Sequence, residues 1–248
     1  ESKDTLISRE LRVRDCLYGV NRQYKWGTRI VYVLVESLTI IPNIKSAHVQ
    51  DVLNVFSVLP EWRSDSWTTL TVYQDGEGFK AKTDAFKPHR LDERMLQGNY
   101  PVYNYVELPV IETYQRRVAR VMLKGRSCFL KIARCSKDID SIAHELGVYH
   151  TLMERRSTAA PRLLGYACEG APGRVVGFFY EEVVGTYPVL SDMSPCEHAL
   201  AQLHEMGVFH GDVNRYNILV THDGQRAKFI DFECSTVAPK GWKGGEWQ

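Results

Sequence analysis

Apolar and polar positions along the chain recur with two periods, and each change of period marks an element boundary. Thr28 to Glu36 is rich in Ile, Val and Tyr and reads as a buried strand. Ser46 can cap a helix carrying Val49, Val52, Leu53, Phe56 and Leu59 at helical spacing, with Pro60 closing it. Trp67 to Gln74 alternates as a strand, Asp75-Gly76 makes a turn, and Gly78 to Thr83 returns as the hairpin partner. Phe86 to Pro101 is polar, holds two prolines and a Gly-Asn, and is the best linker candidate. Residues 1–100 therefore read as a mixed α+β extension that names no chemistry of its own.

The second half is more regular. Val118 to Lys124, a Gly125-Arg126 turn and Ser127 to Ala133 form a hairpin of β-branched and large apolar residues. A helix follows, capped by Asp138, Asp140 or Ser141. It carries Ile142, Leu146, Tyr149 and Met153 on one face and ends in Arg155 and Arg156, which suit the negative end of its dipole. Arg174 to Val184 reads as a buried strand. Ser194-Pro195-Cys196-Glu197 has the form of a capping box opening a helix lined by Leu200, Leu203 and Met206 and stopped by Gly207. Tyr216 to Val220 and Ala227 to Ile230 are short strands joined at Asp223-Gly224.

Composition narrows the class. The 248 residues are 44% apolar, 25% charged and 11% aromatic, which excludes disordered, collagen-like and disulfide-dense chains. The most apolar stretch, Ile30 to Pro42, is interrupted by Glu36 and falls short of the roughly 20 residues a bilayer span needs, so no membrane partner is expected. A net charge of +1 supplies no global field toward nucleic acid, and none is expected as a partner. The basic run Arg116, Arg117, Arg120, Lys124 and Arg126 has no aromatic platform beside it and reads as a solvated hairpin face. Six cysteines are spread thinly and no pair has C-x-x-C spacing, so reduced thiols in an intracellular, cytoplasmic protein are favoured over a disulfide framework. The start at Glu1, with no Met or apolar signal segment, reads as that of a mature or trimmed chain.

Five polar residues stand at the joints of this pattern. Lys131 interrupts the apolar strand Phe129 to Ala133 and demands a carboxylate partner. Glu145, on the next helix beside Ile142 and Tyr149, is the natural one, although Asp138, Asp140 and Glu154 are near it in sequence. Asp212 and Asn217 lie in the loop that follows the second helix, and Asp231 ends a strand; acids and an amide at strand ends offer hard oxygens for Mg²⁺. His144, Glu145 and His150 miss the H-E-x-x-H spacing of a zinc site.

The strand lysine, the helix glutamate, His210-Gly211-Asp212 with Asn217 five residues after the Asp, and Asp231-Phe232-Glu233 nineteen residues after it resemble the protein-kinase-like superfamily in order and spacing. The resemblance covers about residues 104–236. H-G-D resembles the compact atypical kinases of the RIO type, the aminoglycoside and choline kinases, and fungal kinase-like proteins. It implies an α+β, two-lobed kinase-like fold: an N-lobe at about 104–184 and a minimal C-lobe at about 188–248, preceded by the 1–100 extension. It implies Mg²⁺ and ATP as cofactors and transfer of the γ-phosphate to a hydroxyl of a protein or small-molecule acceptor. Lys131, paired with Glu145, would hold the α- and β-phosphates. Asp212 would orient the acceptor hydroxyl and take its proton, while Asn217 and Asp231 would bind the metal. Glu181, Glu182 and Val183 would form the hinge, and His210 would brace the loop.

Three departures leave a second reading open, a pseudokinase that binds nucleotide or protein without turnover. Residues 111–118 contain no glycine to let backbone amides approach phosphates, so either Arg116 and Arg117 supply charge there or both are solvated. Glu233 stands where D-F-G has glycine. Seventeen residues follow Asp231, which implies a minimal C-lobe or a shortened chain.

Overall fold

The computed structural model describes residues 14–16, 19–26, 29–36, 56–64, 66–76, 78–115, 117–170 and 173–239, with side chains from Ile30 onward. Its contacts divide the chain into two compact units. The first is Glu1–Arg90 with Arg134–Ser136 and Glu169–Arg174; the second is Leu91–Ala133, Lys137–Cys168 and Val175–Gln248.

In the sheet of the first unit, β-branched residues are densest in the two strands Arg29–Val35 and Thr69–Asp75, which pair at its middle. Its strands are β1 (Arg14–Cys16), β2 (Gly19–Trp26), β3 (Arg29–Val35), β4 (Thr69–Asp75) and β5 (Gly78–Thr83), in spatial order β1-β2-β3-β4-β5. Only the β3–β4 pair is parallel. The 78–83 hairpin forms as expected, with Gly76 at φ +61° in the turn. The alternation expected of β4 is not its burial: all of Thr69 to Val72 is buried. The Thr69 hydroxyl reconciles this by donating to the Phe86 carbonyl at 2.9 Å. Most of the helix expected from Ser46 lies outside the described residues; within them, Phe56 and Leu59 are buried.

The second unit holds a six-stranded sheet in the order β6-β10-β11-β9-β8-β7. These strands are β6 (Val102–Asn104), β7 (Val110–Gln115), β8 (Val118–Leu123), β9 (Arg126–Ile132), β10 (Leu163–Glu169) and β11 (Arg174–Glu181). Helix α1 (Ile139–Glu154) buries Ile142, Leu146, Tyr149 and Leu152, whose three- and four-residue spacing makes one apolar stripe. That stripe shares a core with Phe178, Leu203, Phe229 and Phe232. Of the three cap candidates Asp138 takes the N-cap position, and Ser141 Oγ donates to its carbonyl at 3.1 Å. The stretch read as a linker has no strand before Val102, yet it is packed: Leu91 is 1% exposed, and its N–H donates to the Val175 carbonyl at 2.8 Å.

After β12 (Gly185–Thr186), helix α2 (Met193–Glu205) begins earlier than expected. Its N-cap is Asp192, so the capping box at Ser194 does not form. A 3-10 turn at Leu190–Asp192 feeds straight into the helix, and the Asp192 carboxylate turns back to the Val189 N–H at 2.9 Å. Pro195 then sits in the first turn, where its missing N–H costs nothing. Gly207, at φ +61°, stops the helix as expected. The chain continues through β13 (Val208–Phe209), β14 (Ile218–Thr221), β15 (Ala227–Phe229) and β16 (Thr236–Val237), with β12-β14-β15 as one small sheet and β13-β16 as another. Cys128, Cys196 and Cys234 are free thiols. Among the described residues, no helix is long and apolar enough to cross a membrane.

Candidate active site

Lys131 lies on β9 between Val118 of β8 and Phe178 of β11, in a strand that closes tightly on its neighbour. A Cβ at Gly177 would stand 2.1 Å from the Lys131 carbonyl oxygen, so only glycine fits there. Lys131 is 4% exposed, and an ammonium so buried must be paired. Three carboxylates meet it: Glu145 Oε2 at 2.6 Å, Asp231 Oδ1 at 2.7 Å and Glu233 Oε1 at 2.7 Å. Burial alone would push the Lys131 pKa down; the three carboxylates outweigh it and hold the ammonium above its usual range. Burial raises the Glu145 carboxyl, with Lys131 pulling the other way. Glu233 would also be raised by burial, but Lys131 and Arg117 bring it below the ordinary carboxylate value.

Glu145 does a second job. Its Oε1 accepts the Phe232 N–H at 3.1 Å, tying α1 to the segment that carries Asp231 and Glu233. Asp231 adopts φ +64°, a left-handed conformation costing about 1–2 kcal/mol for a residue with a Cβ. The neighbouring Phe232 ring is fully buried against Tyr149 (centroids 5.6 Å apart) and His210 (5.0 Å). Burying such a ring is worth roughly 1.5–3 kcal/mol, enough to offset the strain.

The loop after β13 is built from the inside outward. His210 is buried; its Nε2 donates to the Ile230 carbonyl at 3.0 Å, and its Nδ1 accepts the Asp212 N–H at 3.4 Å. That pairing needs the neutral ring, and burial lowers the His210 pKa accordingly. Ser235 Oγ donates to the His210 carbonyl at 3.0 Å, and His144 Nε2 donates to the Ser235 carbonyl at 2.6 Å. Gly211 stands at φ +76°, and a Cβ there would lie 2.1 Å from the Cys234 carbonyl oxygen. This close approach is the physical reason for glycine in H-G-D. Asn217 Nδ2 donates to both Asp212 Oδ2 (2.9 Å) and the Asp212 carbonyl (3.0 Å), fixing the carboxylate's orientation while leaving the residue exposed. The Ile230 N–H donates to the Asn217 carbonyl at 2.9 Å, joining this loop to the strand end before Asp231.

The remaining expected residues fall as follows. Glu181 pairs with Lys228 (3.2 Å) and Arg162 (3.2 Å), and Glu182 with Arg120 (3.0 Å). Their side chains are thus engaged, and the Glu181 N–H also donates to the Arg162 carbonyl at 2.9 Å. Arg116 lies outside the described residues. Arg117 donates twice from Nη2 to Glu233, at 2.8 and 2.9 Å, and from Nη1 to Ser141 Oγ at 2.9 Å. It is held, not solvated. His144 and His150 go to different partners, the latter to the Tyr166 hydroxyl at 2.9 Å.

Glu233 and Ser141 as partners of Arg117 escaped sequence reasoning. Glu233 registers there only as a lost glycine, yet the spacing Asp231-x-Glu233 could have shown two acids within reach of one lysine. Carboxylate oxygens of Glu145, Asp231 and Glu233 lie within 4.8 Å of one another, hard oxygens of the kind Mg²⁺ selects, with the Lys131 ammonium standing among them as their cation. The Asp231 side chain is 44% exposed, so it is open to a ligand besides Lys131.

A family model described as the lipopolysaccharide kinase (Kdo/WaaP) family matches residues 195–243, the stretch from α2 through the Asp212 loop and Asp231. Over that stretch the chain is similar to a kinase family. The match brings a protein-kinase-like affinity to the segment that holds His210, Asp212, Asn217 and Asp231. No curated protein matches the chain.

Proposed function

We propose that the protein is an Mg²⁺-ATP-dependent phosphotransferase of the atypical kinase type. The observation that carries this reading is the convergence of Lys131, Glu145 and Asp231 within direct ion-pair distance, with Asp212 and Asn217 hydrogen-bonded to each other on the adjoining loop. Lys131, oriented by Glu145, binds the α- and β-phosphates. Asp231 and Asn217 hold the metal, which when bound neutralises charge on the phosphates. Asp212, with one carboxylate oxygen occupied by Asn217, orients the acceptor hydroxyl and takes its proton. Phosphoryl transfer has a loose transition state, so this positioning matters more than a strong base. The backbone of Glu181, Glu182 and Val183 serves adenine, apart from the Glu181 N–H, which is held by the Arg162 carbonyl.

The acceptor side is the exposed surface beside Asp212. Val213 and Tyr216 are 54% and 62% exposed, and Tyr187 meets Tyr216 edge-on at 5.4 Å. An exposed aromatic pair next to the base favours an acceptor with an apolar ring face, such as a saccharide, the substrate class in the matched family's description.

The test is ADP release from Mg²⁺-ATP over a panel of sugar acceptors. Asp212→Ala should lower the rate by about a hundredfold or more, the range for a positioned acid–base group. An unchanged rate would place catalysis elsewhere. Nucleotide binding without ADP release from either protein would favour the scaffold reading, which the glycine-free turn before Val118 supports.

A further inference from the structure

Glu233 occupies an unusual position for a residue two places after a metal ligand. Its Oε1 accepts from Lys131 at 2.7 Å, and its two carboxylate oxygens share the single Arg117 Nη2 at 2.8 and 2.9 Å. A lysine point charge and an arginine hydrogen-bonding fork are the groups that proteins use to hold phosphate oxygens. Arg117 is itself fixed at Nη1 by Ser141 Oγ at the start of α1, so the orientation of its guanidinium is preset. Lys131 meanwhile spends its donors on Glu145, Asp231 and Glu233.

We propose that Glu233 is an internal stand-in for a nucleotide phosphate, and that its release makes nucleotide binding depend on the divalent cation. The proposal rests on the phosphotransferase reading and deepens it. Two cations, Lys131 and Arg117, face three carboxylates, so the ionised cluster carries excess negative charge and repels a bare triphosphate. A cation arriving with the nucleotide gives Asp231 and Glu233 another positive partner. Lys131 and Arg117 are then freed for phosphate oxygens. Glu233 thereby selects the metal-loaded nucleotide over the free one. It is a positioning residue, acting through Lys131 and Arg117.

The experiment is calorimetric titration of ATP into the whole chain, with Mg²⁺ and with EDTA in its place, for the wild type and Glu233→Gln. Wild-type affinity should fall by about tenfold or more in EDTA, and Glu233→Gln should recover most of that loss by binding metal-free ATP more tightly. Asp140→Asn removes a nearby exposed charge outside the cluster and should not reproduce this gain. Equal affinity of wild type and Glu233→Gln for metal-free ATP would overturn the proposal while leaving the kinase reading intact. Absence of binding by wild type in both conditions would overturn both. The wild-type arm needs no variant to fold: ATP binding as tight in EDTA as in Mg²⁺ also sinks the proposal.

Discussion

The Lys131 cluster and the Asp212 loop adjoin in chemistry but are built by opposite means. Around Lys131 and Glu145, charges are buried to 4% and 1% exposure and hold one another in place. Around Asp212 the charge is exposed, and orientation comes from neutral partners: the Asn217 amide, the neutral His210 ring and the backbone behind Gly211. Position and stability are inseparable in the first region and separable in the second. In the proposed function, a phosphate-binding lysine is kept rigid by counter-charges, whereas the base that meets the acceptor is left open and held from behind.

The largest effect that can break this comparison is Lys131→Met. It strands the Glu145 carboxylate in a buried setting, and breaking such a pair typically costs about 3–5 kcal/mol. Trp62 and Trp67 report on the first unit, so the change should be read by native-state hydrogen exchange at amides of β9 and α1. A loss below about 1 kcal/mol would mean the carboxylates neutralise or hydrate freely, contrary to a rigid cluster.

A smaller effect comes from His210. Its folded pKa is lowered by burial, so its stabilising contribution is present above the unfolded value near 6.5 and is lost as pH falls below it toward the folded value. Glu233 acts in the same direction at more acid pH, its depressed pKa giving stability that is lost as pH falls below about 4.5. Stability measured from pH 7 down to 5 should therefore decline in the wild type and stay flatter in His210→Gln. An identical slope in both would remove the neutral ring from the loop's support. The smallest stability change belongs to Asp212→Ala, within about 0.5 kcal/mol because the residue is exposed, even as turnover collapses. Comparable destabilisation by Asp212→Ala and Lys131→Met would erase the contrast between the two regions.

Much of the second unit was legible in sequence because its signals are local. The 118–132 hairpin, the stripe of α1 and the strands at 218–229 follow from period and turn residues that need no distant partner. Lys131 pointed to Glu145 because a charge within an apolar strand leaves few physical options. What escaped depends on distance or on context. The Arg117–Glu233 pair spans 116 residues with no periodic trace. The cap of α2 shifted because a preceding 3-10 turn supplied the helix entry that Ser194 had been expected to provide. Burial of Thr69 and Thr71 reads as a solvent face in the sequence, since a polar side chain does not announce the partner that will satisfy it.

The most direct measurement is the affinity for Mg²⁺-ATP of wild type and Asp231→Ala, taken by calorimetry on the whole chain. The expected result is saturable binding by wild type that weakens by about tenfold or more in Asp231→Ala, the loss of one charge-assisted ligand. Equal affinity in the two proteins, or none in the wild type, would contradict a nucleotide site built on Lys131 and Asp231.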